Sequence, residues 1–125
     1  MKNPRTPSAS KRSNSVSYSK AEIFKKGIKR DPSLFRAFKD KKQFKSWHSH
    51  LLTTAGTQDV KEVLDPQYTP QTEEDADLFQ LKQEYMYNVA DNILQTDRGI
   101  VYVCEHEHDH DAQKVFAKVI AYYLK

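Results

Sequence analysis

The stretch TEEDADLFQLKQEYMYNVADNIL, residues 72–94, decides the fold. Thr72 stands before Glu73, Glu74 and Asp75. A hydroxyl followed by acids is the signature of a capped helix start, because the free N–H groups and the helix dipole both favour negative charge there. Behind that start, Leu78, Leu81, Tyr85, Val89 and Ile93 fall on one side, with Phe79, Met86 and Leu94 along its edge. Steps of three and four over this length predict a helix of about 22 residues.

Outward from it, the flanking segments read the same way. Phe44, Trp47, Leu51, Leu52 and Ala55 predict a second helix from about Lys41 to Thr57, anchored by Trp47. Gly56 weakens it, and Val60, Val63 and Leu64 suggest a last half-buried turn before Asp65-Pro66. Tyr68 and Pro70 are expected to cover the end of the core. On the far side, the run Thr96-Asp97-Arg98-Gly99 breaks the long helix and can cap the next element. Residues 100–105 are β-branched enough for a strand, but no partner strand exists, so a helix is expected. Ala112, Val115, Phe116, Val119, Ile120 and Tyr123 predict a final helix, with Asp109 or Asp111 as its cap. Ile23, Phe24 and Ile28 give a marginal helical turn over Ala21 to Arg30, interrupted by Gly27 and stopped at Asp31-Pro32. The fold class expected is all-α, a small globular bundle of four to five helices rather than a coiled coil.

With 125 residues the chain has room for one small domain. Residues 1–20 are rich in Ser, Asn, Pro and Lys and offer only Val16 and Tyr18 as apolar bulk, which predicts a disordered basic arm ahead of a helical domain at 21–125. No apolar run is long enough for a membrane span, and no signal peptide is evident, so a cytoplasmic or nuclear protein is expected. Its one cysteine excludes an internal disulfide framework.

The net charge of +3 conceals a division. Residues 1–45 hold fourteen Lys and Arg against three acids, and residues 46–125 hold six against fourteen. A basic arm of this kind is drawn to phosphate backbones, since each cation that neutralises a phosphate releases a counterion. Lys11, Arg12, Lys20, Lys25, Lys26, Lys29 and Arg30 are the candidate nucleic-acid contacts. The acidic half would also attract the arm of a second copy, and a merely solubilising tail is the plain alternative.

The tract Glu105-His106-Glu107-His108-Asp109-His110-Asp111 contains only possible metal ligands. Its order differs from the His-x-His-x-Asp-His of metallo-hydrolases, and a chain without strands supplies no further ligand set. It reads as a solvated acidic link, with no metal or other cofactor expected and no active site. His48 and His50 point roughly 200° apart on a helix and cannot share an ion. Cys104, alone on an apolar stripe, reads as a core residue rather than a nucleophile. The glycines, Gly27, Gly56 and Gly99, form no phosphate-cradling motif.

The blocks FKKGIKRD (24–31), FKDKKQFKSWH (38–48), VLDPQYTP (63–70), YMY (85–87), LQTDRG (94–99) and DAQKV (111–115), in this order, resemble the Gag-type leader region of copia-like LTR retrotransposon polyproteins, in the version abundant in unicellular algae. The resemblance covers about residues 22–125. It implies a helical, capsid-like structural domain that associates with itself and with RNA, without catalysis or a small-molecule substrate. Two positions depart from the pattern: His110 replaces a usual aromatic residue, and Cys104 stands where a basic residue is common. The pattern also stops at residue 125, where that family continues into more helices and often a zinc knuckle, so the domain is expected to be truncated at its C-terminus. Two rivals come from other classes: a nucleic-acid-binding adaptor that does not assemble, and a small metal-dependent protein using His106, His108 and His110.

Overall fold

A computed structural model describes residues 18–27 and 29–124. Among them are five α-helices and no strand: α1 (Lys20–Lys26), α2 (Phe44–Thr57), α3 (Glu73–Ile93), α4 (Asp97–Glu105) and α5 (Ala112–Tyr123), with short 3-10 turns at Pro32–Leu34, Lys41–Gln43 and Lys61–Leu64. The fold is the expected all-α bundle. The disordered arm expected at residues 1–20 lies outside the described residues up to position 17. Ser19 and Lys20 form the start of α1, where the Ser19 hydroxyl accepts from Glu22 N–H and the Glu22 carboxylate accepts from Ser19 N–H.

Side-chain caps also set the starts of α3, α4 and α5. Thr72 accepts from Asp75 N–H, Thr96 from Gly99 N–H, and Asp111 from Lys114 N–H. Each satisfies a donor that the first turn of a helix leaves without an internal partner. Of the two caps considered for α5, Asp111 is the one used. The ambiguous segment after Thr96 is helical.

Helix α3 contacts α1, α4 and α5. Its buried line is Phe79, Gln83, Met86, Ala90 and Ile93, joined by Lys82, Tyr87 and Val89. Of the line expected from the sequence, Val89 and Ile93 are buried and Leu78, Leu81 and Tyr85 are half-buried, while Phe79, Met86 and Leu94, expected along its edge, are buried. The buried stripe also takes in two polar residues, Lys82 and Gln83. α1 also differs from expectation. Phe24 is in the core, whereas Ile23 is 58% exposed. A short helix resting on α3 can turn only one of two adjacent residues inward. Ile28, the third residue of that expected stripe, lies outside the described residues.

An aromatic cluster closes the other end. Phe38 is drawn into the core by an isolated parallel bridge to Leu94, in which Phe38 N–H donates to Ile93 O (2.7 Å) and Gln95 N–H donates to Phe38 O (3.0 Å). Its ring stacks on Trp47 with centroids 4.5 Å apart, and Tyr123 meets it edge-on at 4.9 Å. Trp47 is 1% exposed, and its indole N–H donates to Arg36 O at 2.8 Å. This satisfies the one polar atom of an otherwise apolar residue. Val60, Val63 and Leu64 are buried rather than half-buried, and Tyr68 packs on Phe79. Gly99, in the first turn of α4, packs closely on the end of α3: a Cβ there would lie 3.1 Å from both Leu94 Cβ and Thr96 Oγ1, a tight contact.

Trp47→Ala should destabilise the protein by about 3 to 5 kcal/mol, the cost of a large cavity together with lost aromatic contacts. Urea unfolding followed by circular dichroism measures this, and a midpoint equal to that of the parent would place the ring outside the core.

Candidate nucleic-acid interface

The candidate contacts in the basic segment divide by what each side chain touches. Lys11 and Arg12 lie outside the described residues. Lys20 is held at the start of α3: its N–H donates to Glu74 Oε2 (2.8 Å) and its ammonium to Asp75 Oδ1 (2.6 Å). The hydrogen bond from Lys20 keeps the Asp75 carboxyl below the usual range, and the same bond raises the pKa of the amine. Arg30 is turned inward. It donates through Nε to Gln58 O and through Nη1 to Phe24 O, both at 2.8 Å, and lies flat on the Phe24 ring at 3.4 Å. Its side chain is only 10% exposed. These two cations serve the fold.

Lys25, Lys26 and Lys29 are exposed. Lys26 lies over the Tyr18 ring at 4.0 Å, a contact that leaves an ammonium hydrated on its outer side. The segment leading into α2 adds Arg36, Lys39, Lys41, Lys42 and Lys45, all exposed. Sequence reading counts these five in the charge total without giving them a role, since nothing in their spacing shows that all face outward. None of these eight cations has an ion-pair partner among the described residues.

The histidine tract is a structured corner and not the solvated link expected from its composition. His106 is buried, with 7% of its surface exposed. Its Nε2 lies 2.9 Å from Lys118 Nζ and its Nδ1 3.1 Å from Asp109 Oδ1. An ammonium only donates, so Nε2 accepts and Nδ1–H donates to the carboxylate. This fixes the neutral ring in one tautomer. Lys118 also donates to Glu105 at 3.0 Å. Asp109 accepts from Asp111 N–H, a bond that holds its carboxyl below the usual range. His110 adopts φ of 52° and directs Nδ1 at Glu84 Oε1 (2.7 Å) while stacking on Tyr87 at 4.4 Å. His108 is the most exposed of the three, with 76% of its side chain open to solvent against 41% for His110. His106 and His108 both approach Asp109 while His110 turns to Glu84, and among the described residues no three His, Cys, Asp or Glu side chains converge on one point.

Cys104 also departs from expectation. It is exposed, because α4 turns Gly99 and Val103 inward and leaves Ile100, Val101 and Cys104 on the outer side. His48 is half-buried against Phe44, with ring centroids 5.4 Å apart, and burial lowers its pKa from 6.5. No helix of the described residues is long and apolar enough to cross a membrane. Comparison with protein-family models, curated proteins and solved structures gives no match.

Two outcomes follow for the corner between α4 and α5. His106→Ala should cost about 1 to 3 kcal/mol, because a buried ring is removed together with its hydrogen bonds to Lys118 and Asp109, whereas His108→Gln should change stability by no more than about 0.5 kcal/mol. Equal melting temperatures for the two variants would contradict this placement.

Stability should also fall as the solution is acidified. His48 is depressed in the folded state, so the unfolded chain binds its proton first, and the neutral ring's contribution is lost as pH falls below about 6.5. Glu22, Asp31, Asp75 and Asp109 are depressed as well, and their contributions are lost as pH falls further, through the carboxylate range. Both limbs have the same sign. Melting temperatures between pH 8 and pH 3 should show a shallow decline followed by a steeper one, and His48→Gln should flatten the first.

Proposed function

We propose that this chain is a Gag-like structural domain that associates with itself and binds RNA through its basic segment, with no catalysis of its own. One observation supports the RNA part most directly: Lys25, Lys26, Lys29, Arg36, Lys39, Lys41, Lys42 and Lys45 are exposed and form no direct ion pair among the described residues, although Glu22 lies in the field of Lys25 and Lys26 and Asp31 in that of Lys29. Like charges crowded along one stretch repel, and a polyanion relieves that repulsion while releasing its own counterions. The resemblance to copia-type Gag leaders supports the self-association, and a cytoplasmic or nuclear setting is where RNA would be met. The contacts proposed are Lys11, Arg12, Lys25, Lys26 and Lys29. Lys20 and Arg30 are secondary, because Asp75 and the Gln58 carbonyl already hold them.

The His106, His108 and His110 tract is not proposed as a metal site, since His106 and His108 meet Asp109 while His110 is held away at Glu84, and no three ligating side chains converge among the described residues.

The 125-residue chain should bind labelled single-stranded RNA with log K falling linearly in log salt, at about 0.7 per phosphate contact. Replacing Lys11, Arg12, Lys25, Lys26 and Lys29 by Gln should reduce that slope by up to about 3.5, without altering sequence preference. Fluorescence anisotropy across about 50 to 200 mM salt reads both quantities. An unchanged slope, or no binding at low salt, would leave the segment as a solubilising or self-associating tail. Size exclusion with light scattering addresses assembly: species larger than the 14.6 kDa monomer support the structural reading. A monomer that shifts only with RNA would point to the non-assembling adaptor.

A further inference from the structure

The Phe38–Leu94 bridge has a consequence at the surface. By pairing residue 38 with residue 94, it lays the basic segment alongside the start of α4, so that Lys39 and Lys41 face Arg98 from 57 or more positions away in the chain. The end of α5 closes the third side, where the Tyr123 hydroxyl donates to Thr96 Oγ1 at 2.9 Å. The result is an open cleft of about 490 Å³, lined by these three cations and by Tyr122. That volume lies within the range of sites that hold small ligands. Neither Lys39, Lys41 nor Arg98 has an ion-pair partner among the described residues. Arg98 approaches the Tyr122 ring, with its guanidinium 5.1 Å from the centroid, and Tyr123 meets the same ring edge-on at 4.9 Å. Tyr122 itself is 41% exposed.

Two acids also line the cleft, and they narrow the choice of ligand. The Asp40 carboxylate accepts from Lys42 N–H, while Asp97 stands in the first turn of α4. A simple anion would gain little where two carboxylates oppose three cations. A nucleotide carries phosphates together with hydroxyl and amino donors that a carboxylate can accept, and a flat ring system that stacks on tyrosine. Unstacked bases are available only on single strands.

We propose that this cleft is a second contact site for single-stranded RNA, in which Lys39, Lys41 and Arg98 meet successive phosphates and one base stacks on Tyr122. It rests on the reading of the chain as an RNA-binding protein, but places a contact on the folded domain that is separate from the arm. The arm supplies attraction at a distance; the cleft supplies a seat.

Three variants of the 125-residue chain test this by RNA anisotropy. Lys39→Gln, Lys41→Gln and Arg98→Gln combined should lower the salt slope by about 2, at 0.7 per lost phosphate contact. Tyr122→Ala should weaken RNA binding by about 5- to 150-fold, the range for one lost base stack, while leaving the salt slope unchanged. Tyr122→Phe should bind as the parent does, which separates loss of the ring from damage to the fold. Inorganic polyphosphate is the control ligand, and its affinity should not respond to Tyr122→Ala. If the cleft variants bind RNA like the parent while the substituted arm loses binding, the cleft is excluded and the arm reading stands. If the parent binds no RNA at low salt, both fall. A Tyr122→Ala variant that loses polyphosphate as strongly as RNA would overturn the base seat.

Discussion

Helix α3 can occupy the middle of this protein only because the polar groups it carries inward are met there. Lys82 has a side chain 4% exposed, and its ammonium lies 3.1 Å from Glu62 and 3.6 Å from Asp59. An unpaired ammonium at that depth would cost several kcal/mol. Its two partners come from the turn that ends α2 and from the 3-10 turn after it, and Asp59 adopts a left-handed backbone (φ 59°) that Asp tolerates better than most residues. The ion pairs therefore fix where α2 stops. Gln83, one residue on, accepts from Gln113 N–H at 2.8 Å and donates to Asp111 Oδ1 at 3.2 Å, which seats the start of α5. Gln113 then donates to the carbonyls of Asp65 and Tyr68. Two neighbouring polar residues of one helix thus tie the segment after α2 and the start of α5 to it.

The charge division along the chain is also a division of use. Acids of the second half are consumed by structure: Glu74 and Asp75 hold Lys20, Asp59 and Glu62 hold Lys82, and Asp109 and Asp111 order the corner before α5. The cations between residues 25 and 45, apart from Arg30, face solvent. A structure that matched these charges internally would leave little field outside it. Here the field survives folding, and on the proposed reading it is what a polyanion meets.

Much of this arrangement is legible in the residues themselves. The spacing of apolar residues and the caps at Thr72, Thr96 and Asp111 identify α3, α4 and α5, and Trp47 identifies the inner face of α2, because each signal lies within a few residues of what it determines. Misreadings arise where the deciding partner is distant in sequence. Lys82 and Gln83 look like surface residues until Glu62 and Gln113 are brought beside them. His106 looks solvated until Lys118 closes over it. Cys104 looks apolar and internal, yet the inward face of α4 is settled by its packing on α3 and α5. For the same reason, no local pattern joins Lys39 and Lys41 to Arg98; a backbone bridge between distant residues makes that neighbourhood.

The outward position of Cys104 bears on how assembly by this chain should be judged. With a single thiol per chain, any disulfide formed by these 125 residues must link two molecules. Air oxidation would then produce covalent pairs that owe nothing to a complementary surface and persist at any dilution. Only species that survive in the presence of a reductant, and that dissociate as the protein is diluted, report an interface encoded by the fold.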